Sequence, residues 1–235
     1  MSEFDVELGE LRLLHLADSA LPIGGLAHSF GLESLAEKRL LSVENLAEFL
    51  RGYLEEAGFL EAVFCREGFG LGARRCTATF AMEWVRLNEK LSAMKPARES
   101  RTGSGSLGKN FLAAVAGLGD CEMAREALRA SKEAGELIHH SVAFGFASGV
   151  LGLAEDRVVA AYLHQSVASL VSACQRLMPV GQSAALRILW DLKATLIETA
   201  RRSAGCWVDD ACCFVPVLDW GAMEHPGLAT RLFIS

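Results

Sequence analysis

The sequence predicts an all-α fold, a bundle of about eight to ten helices of modest length closed by an irregular C-terminal tail. Three observations predict it. Apolar residues recur at helical spacing over nearly the whole chain. Strand signals are confined to Phe214 to Val217 and Val158 to Val159, and the second lies inside a helical pattern. The connections between periodic segments are short. With 51% hydrophobic and 22% charged residues among 235, the chain has the material for one sizeable core, and 1–235 reads as a single domain.

The elements follow in order. Leu8, Leu11, Leu14 and Ala17 form an apolar stripe that ends before Pro22. Ser42 has the chemistry of an N-cap, and Leu46, Phe49, Leu50, Tyr53, Leu54 and Ala57 follow at helical spacing. Phe80, Trp84, Leu87 and Leu91 repeat the pattern. The polar stretch 92–108, SAMKPARESRTGSGSLG, reads as a mobile loop running into a helix from Leu107 to Leu118. Asp120 is placed to cap a short helix carrying Met123, Ala127 and Leu128. Val159, Tyr162, Leu163, Ser166, Leu170, Cys174 and Leu177 trace a long helix stopped at Pro179. One helix is expected from Gly181 to Arg202. The segment 206–235, rich in Pro, Gly and Asp, reads as irregular.

Charge and composition exclude several functions. A formal net charge of -6 argues against nucleic acid as a partner, since that needs a basic face to displace counterions from phosphates. The start MSEFDVELGELRLLHL is acidic and lacks the apolar core of a signal peptide. Val142 to Leu153 is too short for a membrane span and is broken by Gly145, Gly149 and Gly152. Seven cysteines without a regular framework fit reduced thiols, and a cytoplasmic location is expected.

Three constellations compete for chemistry. Gly103, Gly105 and Gly108 satisfy G-x-G-x-x-G, and Gly103 to Asn110 comes within one residue of a P-loop. A phosphate loop needs an apolar strand before its first glycine. KPARESRT is charged and contains Pro96, and Asn110 lacks the hydroxyl for Mg²⁺. A nucleotide-binding enzyme using this segment stands as the alternative reading. Cys212, Cys213 and His225 are weak candidates for a soft metal ion, without the C-x₂₋₄-C spacing of a structural zinc site. His139 and His140 diverge by about 100° on a helix, so they do not share an ion readily and instead cap or line a helix start. No nucleophile elbow, H-E-x-x-H helix or cysteine-protease context occurs, which favours a binding or assembly protein over an enzyme.

Three distant blocks carry a more specific signal. LADSALPIGGLAHSFGLE (16–33) is a helix end, a Pro22 stop, a Gly24-Gly25 turn and a new helix marked by Ser29. LVSACQRLMPVGQSAALRIL (170–189) is a helix-Pro-Gly-helix corner. VPVLDWGAMEHPGLATRLFIS closes the chain. In order and spacing these blocks resemble the UreF family of urease accessory proteins. The family shows LP-[VI]-G-G followed by S-x-G-L-E, then R-L-x-P-[LV]-G-Q, and a terminal R-L-F-x-S. Arg101, Ser104, Gly108, Phe111 and Leu112 resemble a further family pattern. The chain departs from the family at Leu26, where an aromatic residue is common, and at Glu224-His225-Pro226, where the order around the histidine differs.

The resemblance implies an all-helical, non-enzymatic scaffold. It implies binding to a UreD or UreH accessory protein, recruitment of the GTPase UreG, and nickel insertion into the urease apoprotein, in a homodimer or a dimer of heterodimers. No cofactor would be held tightly, and nickel would be handled by the assembled complex. By position in the motifs, the partner-binding residues would be Leu21, Pro22, Gly24, Gly25, Ser29, Gly31, Glu33, Arg101, Ser104, Pro179, Gly181, Gln182, His225, Arg231, Leu232, Phe233 and Ser235. A direct nickel carrier using Cys212, Cys213 and His225 is the remaining alternative. For Leu21 to Gly25, a plain tight turn and an interface are equally consistent with the residues. Leu232 and Phe233 fit either a partner or this chain's own core.

Overall fold

A computed structural model describes residues 3–74, 78–118 and 121–235, and every regular element among them is helical. The helices are α1 (Glu3–Leu16), α2 (Leu32–Glu37), α3 (Leu46–Tyr53), α4 (Phe59–Ala73), α5 (Phe80–Met94) and α6 (Arg98–Gly117). They continue with α7 (Glu122–Ala134), α8 (His140–Val150), α9 (Glu155–Leu177), α10 (Gln182–Asp191), α11 (Lys193–Ser203) and α12 (Pro216–Glu224). Asp120 lies outside the described residues.

The centre of the fold is α8. Residues 140–149 of this helix are all buried, as befits a segment apolar all round. Its neighbours are α4, α6 and α9. Gly68 and Gly72 of α4 face Gly145 and Gly149 of α8, so the two backbones touch. A Cβ on Gly145 would lie 1.9 Å from the Cys65 carbonyl oxygen, and one on Gly72 would lie 2.1 Å from that of Phe146. Such proximity is available only to glycine. Around this seam Trp84, Phe64, Phe111, Phe144 and Phe146 are fully buried. Trp84 packs at a tilt against Phe146, ring centroids 4.9 Å apart, and donates its indole N–H to Ser131 Oγ at 2.8 Å. Arg66 of α4 ties three elements together, donating to Ser203 Oγ, the Ala200 carbonyl, Asp156 and Glu155.

Several sequence expectations require correction. The expected loop over 92–108 is helical from Arg98 onward, and the expected start at Leu107 lies in the middle of α6. Its glycines are contact points. A Cβ on Gly108 would fall 1.9 Å from the Ile138 carbonyl oxygen, and one on Gly105 would fall 3.0 Å from Leu137. Close packing therefore overrides the low helix propensity of glycine. The expected helix from Gly181 to Arg202 is two, α10 and α11, meeting at Leu192, whose side chain turns into the core. The α3 helix starts at Leu46, not beside Ser42. Asn45 Oδ1 accepts the Ser42 N–H at 2.9 Å, and Asn45 Nδ2 donates to the Leu40 carbonyl. The segment 206–235 is not irregular throughout, since Pro216 opens α12. On α1 the stripe is turned away from the core: Leu11 and Leu14 are exposed and Leu16 is buried.

α3 and α4 form one continuous rod interrupted by a π-helical turn at Leu54–Gly58, a local widening that recurs at functional sites. The turn places Tyr53, Ala57, Leu60 and Glu61 along one wall of an internal cavity.

Candidate functional site

The chain's two ends meet on one surface. Block 16–33 passes through a turn with Gly24 at φ +89°, then reverses at Phe30 (φ +51°) and Gly31 (φ +93°) to enter α2. A positive φ on phenylalanine is strained backbone, and the tail holds it in place. The Ser235 carbonyl oxygen accepts the N–H groups of Ser29 at 2.5 Å and Phe30 at 3.2 Å, while Ile234 N–H donates to the Ala27 carbonyl. Ser235 Oγ and His28 Nδ1 are 2.7 Å apart. Gly31 leaves room for α12, since a Cβ there would lie 2.6 Å from the Ala222 nitrogen.

Glu33, the first acid of α2, is the hub. Its Oε1 accepts the Leu232 N–H at 2.6 Å, and its Oε2 accepts the Phe233 N–H at 3.2 Å. The same Oε2 lies 2.8 Å from His225 Nε2, and the other ring nitrogen, Nδ1, lies 2.5 Å from Glu99 Oε2 on α6. His225 has no exposed surface. Arg231 stands 3.6 Å from the second oxygen of Glu99. The middle block joins through Arg176 of α9, which donates to the Leu26 carbonyl at 2.6 Å and covers the Phe233 ring at 4.3 Å.

The expected site residues thus divide. Ser29, Gly31, Glu33, His225, Phe233 and Ser235 are buried together at this junction. Pro22, Gly24, Leu26, Arg231, Leu232 and Ile234 are exposed around it. Leu21 and Gly25 are half-buried and line the cavity. Pro179, Gly181 and Gln182 are exposed at the corner before α10, where Gln182 accepts from Gln175. Arg101 donates to the carbonyls of Lys95 and Pro96 and braces the chain before α6. Ser104 is buried and acts on α8: its oxygen accepts the His140 N–H at 3.3 Å and faces His139 Nδ1 at 3.1 Å. Gly103 is packed against Ser235, His28 and Phe30. Gly103 to Asn110 therefore lies wholly inside α6, whose amides are committed to helical hydrogen bonds, and offers no cradle for phosphate.

Behind this junction is a cavity of about 320 Å³, lined by Leu21, Leu26, Glu61, Lys95, His140 and Asp219 among others. Burial alone would push the Glu61 carboxyl up, but the Lys95 ammonium in contact with it holds it below the ordinary carboxylate value. Burial lowers His139 to about 3, helped by Lys95 and Arg101, and lowers His140 to about 4 against the pull of Glu61. Both rings are neutral. Ser92 donates to Glu136, so His139 Nε2 carries the hydrogen toward Ser92 Oγ at 2.9 Å and its Nδ1 accepts from Ser104. His139 is the N-cap residue of α8, where its N–H donates to Asn88 Oδ1 at 2.8 Å.

The metal candidates are not assembled for an ion. Both ring nitrogens of His225 face carboxylates, burial raises the Cys213 thiol to about 12, and Cys212 is exposed. Among the described residues no group of three His, Cys, Asp or Glu side chains is arranged to hold a metal ion. No described helix is long and apolar enough to cross a membrane.

Sequence reasoning missed Glu99, His28, Arg176 and the Glu61–Lys95 pair. No local pattern marks Glu99, which is one charge among several in KPARES. Arg176 lies in the 170–189 segment, where the sequence shows only a helix-Pro-Gly-helix corner.

Comparison with known proteins bears on the same blocks. A family model described as UreF matches residues 40–193. The urease accessory protein UreF of Corynebacterium glutamicum (strain R) is 33% identical over 228 residues, covering 96% of this chain and 98% of that protein. The protein of the same name from Paenarthrobacter aurescens (strain TC1) is 32% identical, covering 96% and 98%. That from Jannaschia sp. (strain CCS1) is 29% identical, covering 96% and 94%.

Proposed function

We infer that this chain is a non-catalytic scaffold for urease maturation, from the premise that it belongs to the UreF family of urease accessory proteins. It binds a UreD or UreH accessory partner, recruits the GTPase UreG, and supports nickel insertion into the urease apoprotein. Nickel is cargo of the assembled complex, and the chain's own residues position partners. The copies associate as a homodimer or as a dimer of heterodimers, in the cytoplasm.

One observation supports this reading above the others. Blocks from the start, middle and end of the sequence converge at one junction through Glu33, Arg176 and residues 231–235. The junction buries the Glu33–His225, Glu33–Phe233 and His28–Ser235 contacts but leaves Leu26 at 51%, Leu232 at 52% and Ile234 at 69% exposure. Apolar side chains held rigidly on a hydrogen-bonded frame are suited to a protein interface, because little ordering entropy is lost on docking. Leu21 to Gly25 serves as both turn and rim in this arrangement. The nucleotide-binding alternative finds no support in α6, and the nickel-carrier alternative would need His225 to leave two carboxylates.

Co-expression with UreD or UreH and UreG tests the reading. The full chain is expected to co-purify with the UreD or UreH partner and to bring the GTPase with it. A chain ending at Thr230 is expected to lose GTPase recruitment. Full recruitment by that truncation would remove the tail from the interface. Calorimetry of the isolated chain with GTP, ATP and NAD is expected to show no binding, and binding abolished by Lys109→Ala would overturn the scaffold reading.

A further inference from the structure

His225 is held in a way that counts protons. Its two ring nitrogens each face a carboxylate oxygen, Glu99 Oε2 at 2.5 Å and Glu33 Oε2 at 2.8 Å, and each contact needs one hydrogen. A neutral imidazole supplies only one. The second belongs either to the ring, as imidazolium, or to one of the two facing carboxyls, and Glu33 also receives the Leu232 and Phe233 N–H groups. In both cases the closed arrangement holds one proton more than a neutral ring facing two carboxylates. Without it, a lone pair of the fully buried ring opposes a carboxylate oxygen at hydrogen-bond distance, where the repulsion is only weakly screened.

The structure assigns His225 as a proton-dependent latch that fastens residues 231–235 to the α2 and α6 carboxylates. Closed, it holds Glu33 where that carboxylate receives the tail amides. Loss of the proton frees the tail and withdraws Phe233 and Ser235 from the core. The charged groups facing the ring are Glu33 from α2, Glu99 from α6 and Arg231 from the tail. Glu224, at the end of α12, turns instead to Lys38 at 3.7 Å. His28, which touches the tail at Ser235, is made less basic by burial, so it charges only on the acid side and does not produce an opening on the alkaline side. The latch is a property of the isolated chain. Its failure and that of the partner reading are separate, since the truncation tests one and the pH slope tests the other.

Hydrogen exchange on the full chain, corrected for the intrinsic pH dependence of amide exchange, tests this directly. Protection of the Leu232, Phe233 and Ile234 amides is expected to fall as pH rises, by up to about tenfold per pH unit for one linked proton. Protection of the α8 amides stays constant over the same range and reports an intact fold. In Glu99→Gln the side-chain amide donates to His225 Nδ1, so a neutral ring closes the latch. Tail protection should then persist and become independent of pH. A flat native profile overturns the latch. So does a Glu99→Gln profile with the native slope, or one unprotected at every pH while α8 stays protected. If Glu99→Gln does not fold, the slope of the native chain still decides.

Discussion

Replacing Gly145 with alanine puts the α4–α8 seam under a defined load. The new Cβ would stand 1.9 Å from the Cys65 carbonyl oxygen, 2.8 Å from its carbon and 3.0 Å from the Phe69 nitrogen. All three are backbone atoms, so no rotamer change relieves the overlap. Restoring ordinary contact requires the helices to part by about 1 Å, since overpacked cores relax only by shifting backbone. The same seam holds Gly68, Gly72 and Gly149 with Cβ positions 2.4, 2.1 and 2.2 Å from facing carbonyl oxygens, so parting at one point loosens all four. Overpacking costs about 1–3 kcal/mol or more, and alanine returns about 1 kcal/mol of helix propensity. The rigid neighbours place this case at the upper end, a net loss of about 2–3 kcal/mol. Gly70→Ala is the control: the residue is on α4 but has nothing within 4 Å of its Cβ position, and the change should stabilise by about 0.5–1 kcal/mol. Denaturant melts of the three proteins, compared by midpoint at constant slope, measure both. Equal stability of Gly145→Ala and the native chain would refute the backbone-contact argument, as would a loss in Gly70→Ala matching that in Gly145→Ala.

Two further outcomes follow from the buried charges. His139 and His140 bind protons less readily folded, at about 3 and 4, than unfolded, near 6.5. The unfolded chain therefore takes up more protons below pH 6.5, and stability falls as pH drops through that window. The two together should cost about 2–3 kcal/mol between pH 7.5 and 5.5, and denaturant midpoints that do not move over this range would contradict the neutral assignment. Lys95→Met removes the partner of Glu61, whose side chain is only 9% exposed. The expected loss is about 3–5 kcal/mol, with partial recovery on adding Glu61→Gln. A double variant no more stable than Lys95→Met alone would show that the pair is not the cause.

Much of this architecture was legible in the sequence wherever a local pattern had a single physical meaning. The Trp84, Leu87 and Leu91 periodicity gives α5 its buried face, and Pro179 stops α9 where expected. The pattern misled where a tertiary contact supplied the reason. Gly103, Gly105 and Gly108 look like loop chemistry because the packing that keeps them helical comes from residues 28, 137, 138 and 235. No glycine or proline announces the break at Leu192. At the junction, Glu33 and His225 belong to the first and last motifs, but their contact spans 192 positions and its third member, Glu99, belongs to neither. Spacing rules do not reach that far. The motifs identified the family and the participants, and the geometry supplied their connections.

The burial of α8 bears on how the chain is made. Its walls come from α4 and α6, which precede it, and from α9, which follows. During synthesis the run from Val142 to Ala147 leaves the ribosome before the helix that completes its shelter has emerged. Until residues up to Leu177 have emerged, this glycine-notched apolar segment is open to other nascent chains. No N-terminal fragment shorter than that is expected to accumulate as a soluble species, and slower elongation while α8 has emerged but α9 has not should lower the yield of folded protein without changing a single residue.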